Sequence, residues 1–365
     1  MTETIRNQYA PDGVTAPGET LLEILQSRRM SQADLADRTG RPTKTINEII
    51  KGKAAITPET ALQLELVLGI PATFWNNRER QYREYLAKQK ASEWLESQTD
   101  WLDTIPYRAM VQAGWTPAAR DKSEQVQHAL KFFGVASPSS WNELWKSQQA
   151  VFRQSMHFEI DQGAVAAWLR KGELEAQQLN SEPYEASRFR NALHSIRSLT
   201  RELPEDFAQT VVKKCSIAGV RVVFVPELPR TRIWGATRWL SPTCALIQLS
   251  LRYKTDDHLW FTFFHEAGHV LQHGKRDFFI ESDDKEKDHR ESEADGFARD
   301  WLIPPNAYRA FKRRGARSCA AISRFAYDLG IAAGIVVGRL QHDDFLPRTH
   351  CNDLKRAVGW ADAKD

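Results

Sequence analysis

Cysteine is scarce in this sequence. The four cysteines lie far apart and form no Cys-x-x-Cys pair: Cys215, Cys244, Cys319 and Cys351. Cysteine zinc sites and the disulfide frameworks of small secreted domains both depend on characteristic cysteine spacings. The sequence therefore argues against a cysteine-rich zinc site and against a disulfide framework, and it favours a reducing cytoplasm.

Long apolar runs and a secretion signal are also missing. No stretch of about 18 apolar residues occurs, which is the length that a membrane-spanning helix needs. The N-terminal sequence MTETIRNQYAPDG lacks the basic start and apolar middle of a signal peptide. We therefore expect a cytoplasmic protein without membrane contact.

A strong excess of one charge is absent as well. The net charge is +3, and a protein that coats nucleic acid would be more basic, so any DNA contact must come from a local patch. The composition, 42% hydrophobic and 27% charged, is that of an ordinary globular protein. At 365 residues, two or three domains are expected.

Periodicity and turn signals divide the chain into five regions. Residues 1–18 lack periodicity and are expected to form a flexible arm. Residues 19–90 show short helical patterns, and residues 91–200 form a helical, tryptophan-rich connecting region. Residues 201–345 combine strands with helices, and residues 346–365 form a C-terminal tail.

The third quarter of the chain contains the strand signals. VRVVFVPEL, IWGATRWLS and CALIQLS, within residues 220–250, predict three strands of an antiparallel sheet. Helical patterns follow at 256–271, at 290–301 and as a pair at 318–341, and DFFIESDDKEKDH (277–289) is expected to be a charged loop. We predict a mainly α fold with a small antiparallel β-sheet (α+β).

Tryptophan is unusually frequent, with 12 residues. Four of them crowd the connecting region: Trp101, Trp115, Trp141 and Trp145. We interpret these side chains as large apolar fillers between helices, and not as a platform on which bases stack.

The stretch FTFFHEAGHVLQHG (261–274) places polar residues in an otherwise apolar run. Residues four apart lie on one face of an α-helix, so His265 and His269 can hold one metal ion. Glu266 lies a step round the helix, where it can reach a water on that ion without being a ligand. This is the geometry of an H-E-x-x-H zinc helix, although the pentapeptide alone also arises by chance.

A catalytic zinc ion normally takes three protein ligands, and HRESEADGFARDWLIPP (289–305) offers the third. On a helical wheel Glu291 lies amid the small and apolar residues, whereas Glu293 lies on the solvent side. An acidic residue here would also favour the helix dipole, but that does not explain an inward position. We therefore select Glu291 as ligand, with Asp295 one turn later as hydrogen-bond acceptor for a ligand imidazole. Spacing makes neither His273 nor His289 a ligand, and both are expected at the polar surface.

The segments GATRWLSPTCALIQLS, FTFFHEAGHVLQHG and ESEADGFARDWLIP resemble the ImmA/IrrE family of gluzincin-type metallopeptidases. The resemblance covers roughly residues 200–345, including AISRFAYDLGIAAGIVVGRLQ, which is similar to that domain's closing helix-turn-helix-like pair. It implies a peptidase domain with one Zn²⁺ per chain, in which an E-x-x-A segment, here Glu291 to Ala294, supplies the third ligand.

The resemblance implies peptide hydrolysis. His265, His269 and Glu291 would bind Zn²⁺, and Glu266 would take the proton of the attacking water. An extended substrate would pair with an edge strand, either WGATRWL or CALIQLS. A transition-state hydrogen-bond donor is also expected, with three candidates: Tyr253, His258 and Arg238.

A second motif occupies residues 31–52. SQADLADRTG, with Ser31 as a helix N-cap and Gly40 as its end, precedes RPTKTINEIIKG, whose isoleucines cluster on one side. Together they predict a helix-turn-helix with its recognition helix at 42–51, followed by further helices from Pro58 and Pro71.

Residues 19–85 resemble Xre-type repressors, most closely the HigA-like antitoxin branch, through LLEILQSRRMSQADLA and GIPATFWNNRERQY. The resemblance implies that Gln32 meets a phosphate, that Thr43, Lys44 and Asn47 face base edges, and that Lys51 contacts the DNA backbone. The alternative is a solvated face used for protein contacts. Because such domains bind paired half-sites, a homodimer on double-stranded operator DNA is expected.

Two functions follow. The first is a DNA-binding regulator fused to an active zinc peptidase, which cleaves a repressor, an antitoxin or itself. The second is an antitoxin-like repressor whose peptidase fold serves as a non-catalytic sensor or as a surface for a toxin partner. A structural zinc without hydrolysis is a third, weaker option. Intact Glu266 favours the first, because a purely structural domain has no need of it.

Overall fold

The computed structural model describes residues 14–152, 161–202, 204–250, 252, 254–275, 277–282 and 289–359, with the backbone alone for 147–152 and 281–282. The chain divides into two compact units, residues 1–97 and 98–365.

Short helices surround a small core in the described part of the first unit. They are α1 (Pro17–Ser27), α2 (Gln32–Thr39), α3 (Thr43–Ile50), α4 (Pro58–Leu68) and α5 (Ala72–Ser97). The core includes Leu21, Leu35, Ile46, Leu64 and Trp75. The predicted ends of α2 are confirmed. Ser31 caps the helix in a capping box with Asp34, and Gly40 ends it in the left-handed conformation that glycine adopts without strain.

Helices and a sheet make up the second unit. The helices are α6 (Tyr107–Gln112), α7 (Lys122–Phe133), α8 (Pro138–Phe152), α9 (Gln162–Gln177), α10 (Ala186–Leu199), α11 (Phe207–Ser216), α12 (Asp256–Gln272), α13 (His289–Leu302), α14 (Pro305–Arg313), α15 (Cys319–Leu329) and α16 (Ala333–His342). The strands are β1 (Val220–Phe224), β2 (Ile233–Ser241), β3 (Cys244–Leu249) and β4 (Phe278–Ser282).

The sheet has the order β1-β3-β2-β4 and is mixed. The predicted strands exist, but the prediction of a purely antiparallel sheet is wrong, because β1 pairs with β3 in parallel. The prediction of a charged loop is wrong for β4, where Phe279 and Ile280 are buried ahead of the charged residues. The expected edge strands, β2 and β3, are the central ones, since β1 and β4 flank them.

Helices pack on both faces of the sheet. Ile247 and Leu249 of β3 face the core with α12, so the alternating side chain of Gln248 points to the other face. There Gln248 donates its amide to the Trp168 carbonyl of α9 over 2.7 Å. The indole of Trp168 in turn donates to the Val225 carbonyl over 3.0 Å, which fixes α9 on the sheet.

The core of the second unit draws on a long stretch of chain. Phe189 and Leu193 of α10 share this core with Phe264 of α12, and so does Val358 near the C-terminus. Residues on either side of the predicted 201–345 region therefore pack with it. The domain boundaries given above stay a prediction.

Tryptophans fill space between the helices of the connecting region, as predicted. Trp101 and Trp145 are buried and both contact Trp141, with ring centroids 5.8 and 6.2 Å away. Trp115 stacks on Phe132. These contacts confirm that the indoles serve as apolar fillers.

The C-terminal segment is anchored at two points. A disulfide joins Cys319 to Cys351, whose Cα atoms lie 5.5 Å apart; the cysteine spacing argues against a disulfide framework and does not predict this single pair. Folding of α15 and α16 brings the two cysteines together across 32 residues of sequence, which spacing does not reveal.

The C-terminal segment then meets the start of α12. The Val358 amide donates to the Lys254 carbonyl over 2.8 Å, and the Asp256 amide donates to the Arg356 carbonyl over 2.9 Å. Burial there raises the pKa of the Asp256 carboxyl to about 6.

Among the described helices, none is alone long and apolar enough to cross a membrane. The pair α15 and α16, which meet at 116°, satisfies the length and composition criterion only as a bent pair.

The contact between α9 and the sheet generates a stability prediction. A Cβ added at Gly172 would overlap the side-chain amide of Gln248. We expect Gly172→Ala to lower the free energy of unfolding by about 1–3 kcal/mol because of this overlap. In a Gln248→Ala background the same change should be neutral or stabilising, since alanine is the better helix former by about 1 kcal/mol. Urea denaturation of the four proteins measures both effects, and an equal cost in both backgrounds contradicts the proposed contact.

Candidate metal centre and nucleic-acid interface

Helix α12 forms the centre of the second unit. It packs against β2 and β3 on one side and against α13 and α16 elsewhere. His265 and His269 are each 1% exposed, and Glu266 is 0% exposed. Buried polar groups need partners, and the two imidazoles find theirs among each other, His273 and the carboxylates of α13.

Three donor atoms converge between α12 and α13. The Nε2 atoms of His265 and His269 are 3.0 Å apart, and Oε2 of Glu291 lies 3.1 and 3.5 Å from them. Ligands of a tetrahedral zinc ion, at bond lengths of about 2.0–2.1 Å, lie roughly 3.3 Å from one another. The donor set and its spacing therefore fit Zn²⁺.

Small residues let the two helices approach. A Cβ at Gly268 would lie 3.3 Å from Cα of Ala294, and Ala294 is itself fully buried. Larger side chains at this contact would push α13 away and carry Glu291 out of reach of the histidines. The alanine three residues after Glu291 therefore has a packing role.

His265 is oriented by α13. Its Nδ1 lies 3.0 Å from Oδ1 of Asp295, the residue predicted for this position. A proton on Nδ1 donated to the carboxylate leaves Nε2 with its lone pair toward the donor cluster. Asp295 thus fixes both the tautomer and the ring orientation of His265.

His269 is oriented by a second chain of hydrogen bonds. Its Nδ1 lies 2.9 Å from Nδ1 of His273, whose Nε2 lies 3.2 Å from Oε2 of Glu293. One assignment satisfies every atom: His269 donates to His273, and His273 donates to Glu293. The expectation that His273 is a surface residue is therefore wrong, since its side chain is 5% exposed, whereas His289 is 83% exposed as expected. The four-residue spacing from His269 was the available sequence signal.

Glu266 occupies a space between α12 and β2 that depends on a glycine. A Cβ at Gly235 of β2 would overlap both the Glu266 carboxylate and the Thr262 methyl. The Thr237 hydroxyl also donates to the Glu266 carbonyl over 3.2 Å, which ties β2 to this turn of α12. Gly235 was not anticipated from the sequence.

The new strand β4 also reaches the cluster. Phe279 stacks on the His269 imidazole, with ring centroids 3.9 Å apart and planes inclined by 14°. The phenyl ring covers the imidazole and limits its rotation, so β4 borders the site directly.

The three candidates for a transition-state hydrogen-bond donor differ in their positions relative to the donor cluster. The side chain of Arg238 points away from α12. The neighbouring Thr237 faces α12, and successive side chains of a strand point to opposite faces of the sheet. Arg238 lies 3.7 Å from Glu173 of α9, and burial lowers the pKa of its guanidinium. His258 lies two turns before Glu266 on the same face of α12, against Trp234. Tyr253 lies outside the described residues.

The predicted DNA-contact residues lie on α2 and α3. Ile46 and Ile49 are buried in the core, which leaves the opposite face of α3 accessible. On it, Thr43, Lys44 and Lys51 are exposed, and Lys44 lies 3.9 Å from Glu48. The side-chain amide of Asn47 donates to Gln32 over 3.1 Å, so these two residues form one polar surface across both helices. Their contacts with DNA stay a prediction.

Two family models match the chain. A helix-turn-helix model matches residues 21–75, and a model described as the IrrE N-terminal-like domain of the M78 peptidases matches residues 239–340. The second match contains the whole donor cluster.

Solved structures similar to the chain match over 23% of its length. One is an addiction module antidote protein of the HigA family from Coxiella burnetii, with 32% identity, 92% of that chain covered and a TM-score of 0.22. Another is the antitoxin HigA from Pseudomonas aeruginosa with its promoter, with 27% identity, 94% covered and a TM-score of 0.22. No curated protein matches the chain significantly.

The donor cluster predicts that alanine substitutions at three histidines weaken zinc binding to different degrees. We expect the purified protein to carry one zinc per chain and His269→Ala to lose it, because a donor is removed. His273→Ala should keep zinc but bind it about 10–100-fold more weakly, since only the orientation of His269 is lost. His289→Ala is the exposed control and should match wild type. Elemental analysis and chelator competition measure these effects, and full zinc content in His269→Ala would refute the site.

Proposed function

Because this chain carries a helix-turn-helix domain and an IrrE N-terminal-like domain in one polypeptide, we propose that it is a DNA-binding regulator with a zinc-dependent peptidase activity. The observation that carries the enzymatic part is the donor triangle of His265, His269 and Glu291 with Glu266 buried beside it. A structural metal site has no use for that second carboxylate.

Different residues would bind the metal ion and orient its ligands. His265, His269 and Glu291 would hold the ion, and Asp295 and His273 would keep the imidazoles in the right tautomer. When bound there, Zn²⁺ supplies Lewis acidity, which lowers the pKa of water and polarises a peptide carbonyl.

Glu266 would be the general base. Glu266 lies between His265 and His269 on α12, and its carboxylate is held against β2 at Gly235, away from bulk water. It accepts a proton from the water that attacks the peptide carbonyl and passes this proton to the departing amine. The burial of Glu266 keeps the carboxylate directed at one place and would strengthen its hydrogen bond to the attacking water.

The substrate would lie along β4. An extended peptide can add to the outer strand of a sheet through main-chain hydrogen bonds. Strand β4 is at one end of the sheet and touches the donor cluster through Phe279, whereas β1 is at the other end. The substrate would be a repressor, an antitoxin or the chain itself.

Replacing Glu266 tests the catalytic step separately from zinc binding. We expect wild-type protein to cut a co-expressed regulator or its own chain, and Glu266→Gln to keep its zinc while losing at least about 99% of the rate, as expected for a lost general base. Mass spectrometry of the products and elemental analysis give the two readouts. If both proteins leave every candidate equally uncut, the peptidase proposal fails and a non-catalytic sensor or toxin-binding role replaces it.

The first unit would bind double-stranded operator DNA through α3. Thr43, Lys44 and Asn47 would face the bases, while Gln32 at the start of α2 and Lys51 at the end of α3 would contact phosphates. The support is the family match together with a polar α3 face opposite its buried isoleucines. A homodimer would place two such helices on paired half-sites.

The DNA proposal is tested on an operator selected from random duplexes. Lys44→Ala combined with Asn47→Ala should weaken binding at least about tenfold, because each lost contact removes about 1–3 kcal/mol. Lys90→Ala, an exposed lysine on α5, is the matched control. Mobility shifts measure affinity, and unchanged shifts in the double variant would rule out α3 as the recognition helix.

A further inference from the structure

A disulfide and a histidine lie together between the start of α15 and the loop that follows α16. Cys319 is the first residue of α15 and is partly exposed, whereas Cys351 is 5% exposed. Their sulfur atoms are bonded, and a ring nitrogen of the exposed His350 lies within 4.8 Å of both sulfurs. These three residues have no role in the proposed peptidase site.

Cys319 is the cysteine of the pair that a thiol approaches more easily from solvent. Exchange between a thiol and a disulfide requires access to one of the two sulfurs, and Cys351 is buried. The first turn of α15 carries no acidic residue, and Arg317 lies just before the helix. A helix N-terminus and a nearby cation both favour a thiolate. Cys319 can therefore be attacked when it is oxidised and can attack as a thiolate when it is reduced.

His350 is placed to move the proton that this exchange requires. A neighbouring imidazole takes the proton of a thiol and stabilises the resulting thiolate. At most 4.8 Å separates its ring nitrogen from either sulfur, so a small rotation or one water connects them. His350 can thus give a proton to the departing Cys351 and take one from Cys319 when the bond forms again.

The loop that carries Cys351 is held in place independently of the disulfide. The side-chain amide nitrogen of the buried Gln341 lies within 3.4 Å of four acceptors, which are the carbonyl oxygens of Pro347, Arg348 and His350 and Oδ1 of Asn352. None of these contacts involves a sulfur atom. The loop therefore keeps the two cysteines close after the bond breaks, which allows the bond to form again.

The backbone at Cys351 has an unusual conformation. Its φ is 58°, in the left-handed region that residues with a side chain rarely adopt. Such a conformation persists only where the surrounding structure maintains it, and here the bond to Cys319 contributes. The Leu354 amide donates to the Cys351 carbonyl over 3.1 Å, so a change at Cys351 reaches the turn that follows it.

That turn leads directly to the start of α12. The Arg356 amide donates to the Asp256 carboxylate over 3.0 Å, and Lys355 pairs with Asp257 over 2.8 Å. Thr255 and Ala357 form a β-bridge. The conformation at Cys351 is therefore linked through a few residues to the helix that carries the donor triangle.

The proposed DNA-binding function gives the disulfide a further meaning. A regulator of this kind acts inside the cell, where thiols are kept reduced, and disulfides in such compartments are usually transient, catalytic or redox-sensing. The geometry of the cysteine pair does not depend on that function.

We propose that Cys319 and Cys351 form a reversible thiol–disulfide switch, which tightens the C-terminal segment on α12 when oxidised and loosens it when reduced. The reductant is a cellular thiol. Its thiolate attacks the Cys319 sulfur, the bond between the cysteines breaks, and Cys351 leaves as a thiolate that takes up a proton. A second thiol attacks the mixed disulfide and releases Cys319. Two cellular thiols are thereby oxidised to one disulfide while the cysteine pair is reduced.

The first test measures whether the pair responds to a cellular thiol. Full-length protein is equilibrated in glutathione buffers that range from mostly oxidised to mostly reduced, and alkylation with mass spectrometry counts the free thiols. We expect the pair to convert within this range, and His350→Ala to slow its reduction at least about threefold, because the departing thiolate loses its proton donor. Cys244→Ser, which removes a free cysteine outside the pair, is the control and should match wild type. A pair that stays oxidised in every buffer, or never forms the bond, overturns the proposal.

The second test measures whether the switch reaches α12. Hydrogen exchange at the amides of Asp256, Arg356 and Val358 should be at least about tenfold faster in the reduced protein, since exchange reports local opening. Cys319→Ser, which leaves Cys351 in place, should reproduce the fast exchange without reductant. The Met30 amide, bonded to the Leu25 carbonyl in the first unit, is the internal control. Equal exchange in both states overturns the switch.

Neither test requires DNA binding or peptide cleavage. A failure of the switch is therefore distinguishable from a failure of the proposed function.

Discussion

The contact between α12 and α13 is the constraint on which the site depends. It brings two imidazoles and a carboxylate within hydrogen-bonding distance in a buried place, where uncompensated polar groups are costly. Gly268 and Ala294 permit this approach, because neither presents a side chain large enough to separate the helices. An ion bound to all three donors would convert a costly cluster into a stabilising one, so metal binding and helix packing are coupled here.

Each histidine is oriented from a different position on α13. Asp295 acts directly on His265, whereas Glu293 acts on His269 only through His273. His265 is therefore oriented by one hydrogen bond to a carboxylate, and His269 by a chain of two hydrogen bonds. The orientation of His269 depends on more groups than that of His265.

Local periodicity was enough to predict the features that arise within one helix. The phase of α13 separated Glu291, which is buried, from Glu293, which is half exposed, and Ser31 and Gly40 marked the ends of α2. Features that require distant segments were missed. Strand β4 forms only because β2 offers it a partner, and the Cys319–Cys351 pair forms only after α15 and α16 have folded. The role of His273 likewise depends on Glu293, 20 residues later.

The C-terminal segment supports the start of α12. Val358 packs in the core of the second unit and its amide donates to the Lys254 carbonyl, while the Asp256 amide donates to the Arg356 carbonyl. The disulfide at Cys351 fixes the segment seven residues earlier and reduces the conformations it can adopt when unfolded. The stability of α12, and with it the position of His265 and His269, would therefore depend on this short stretch of chain.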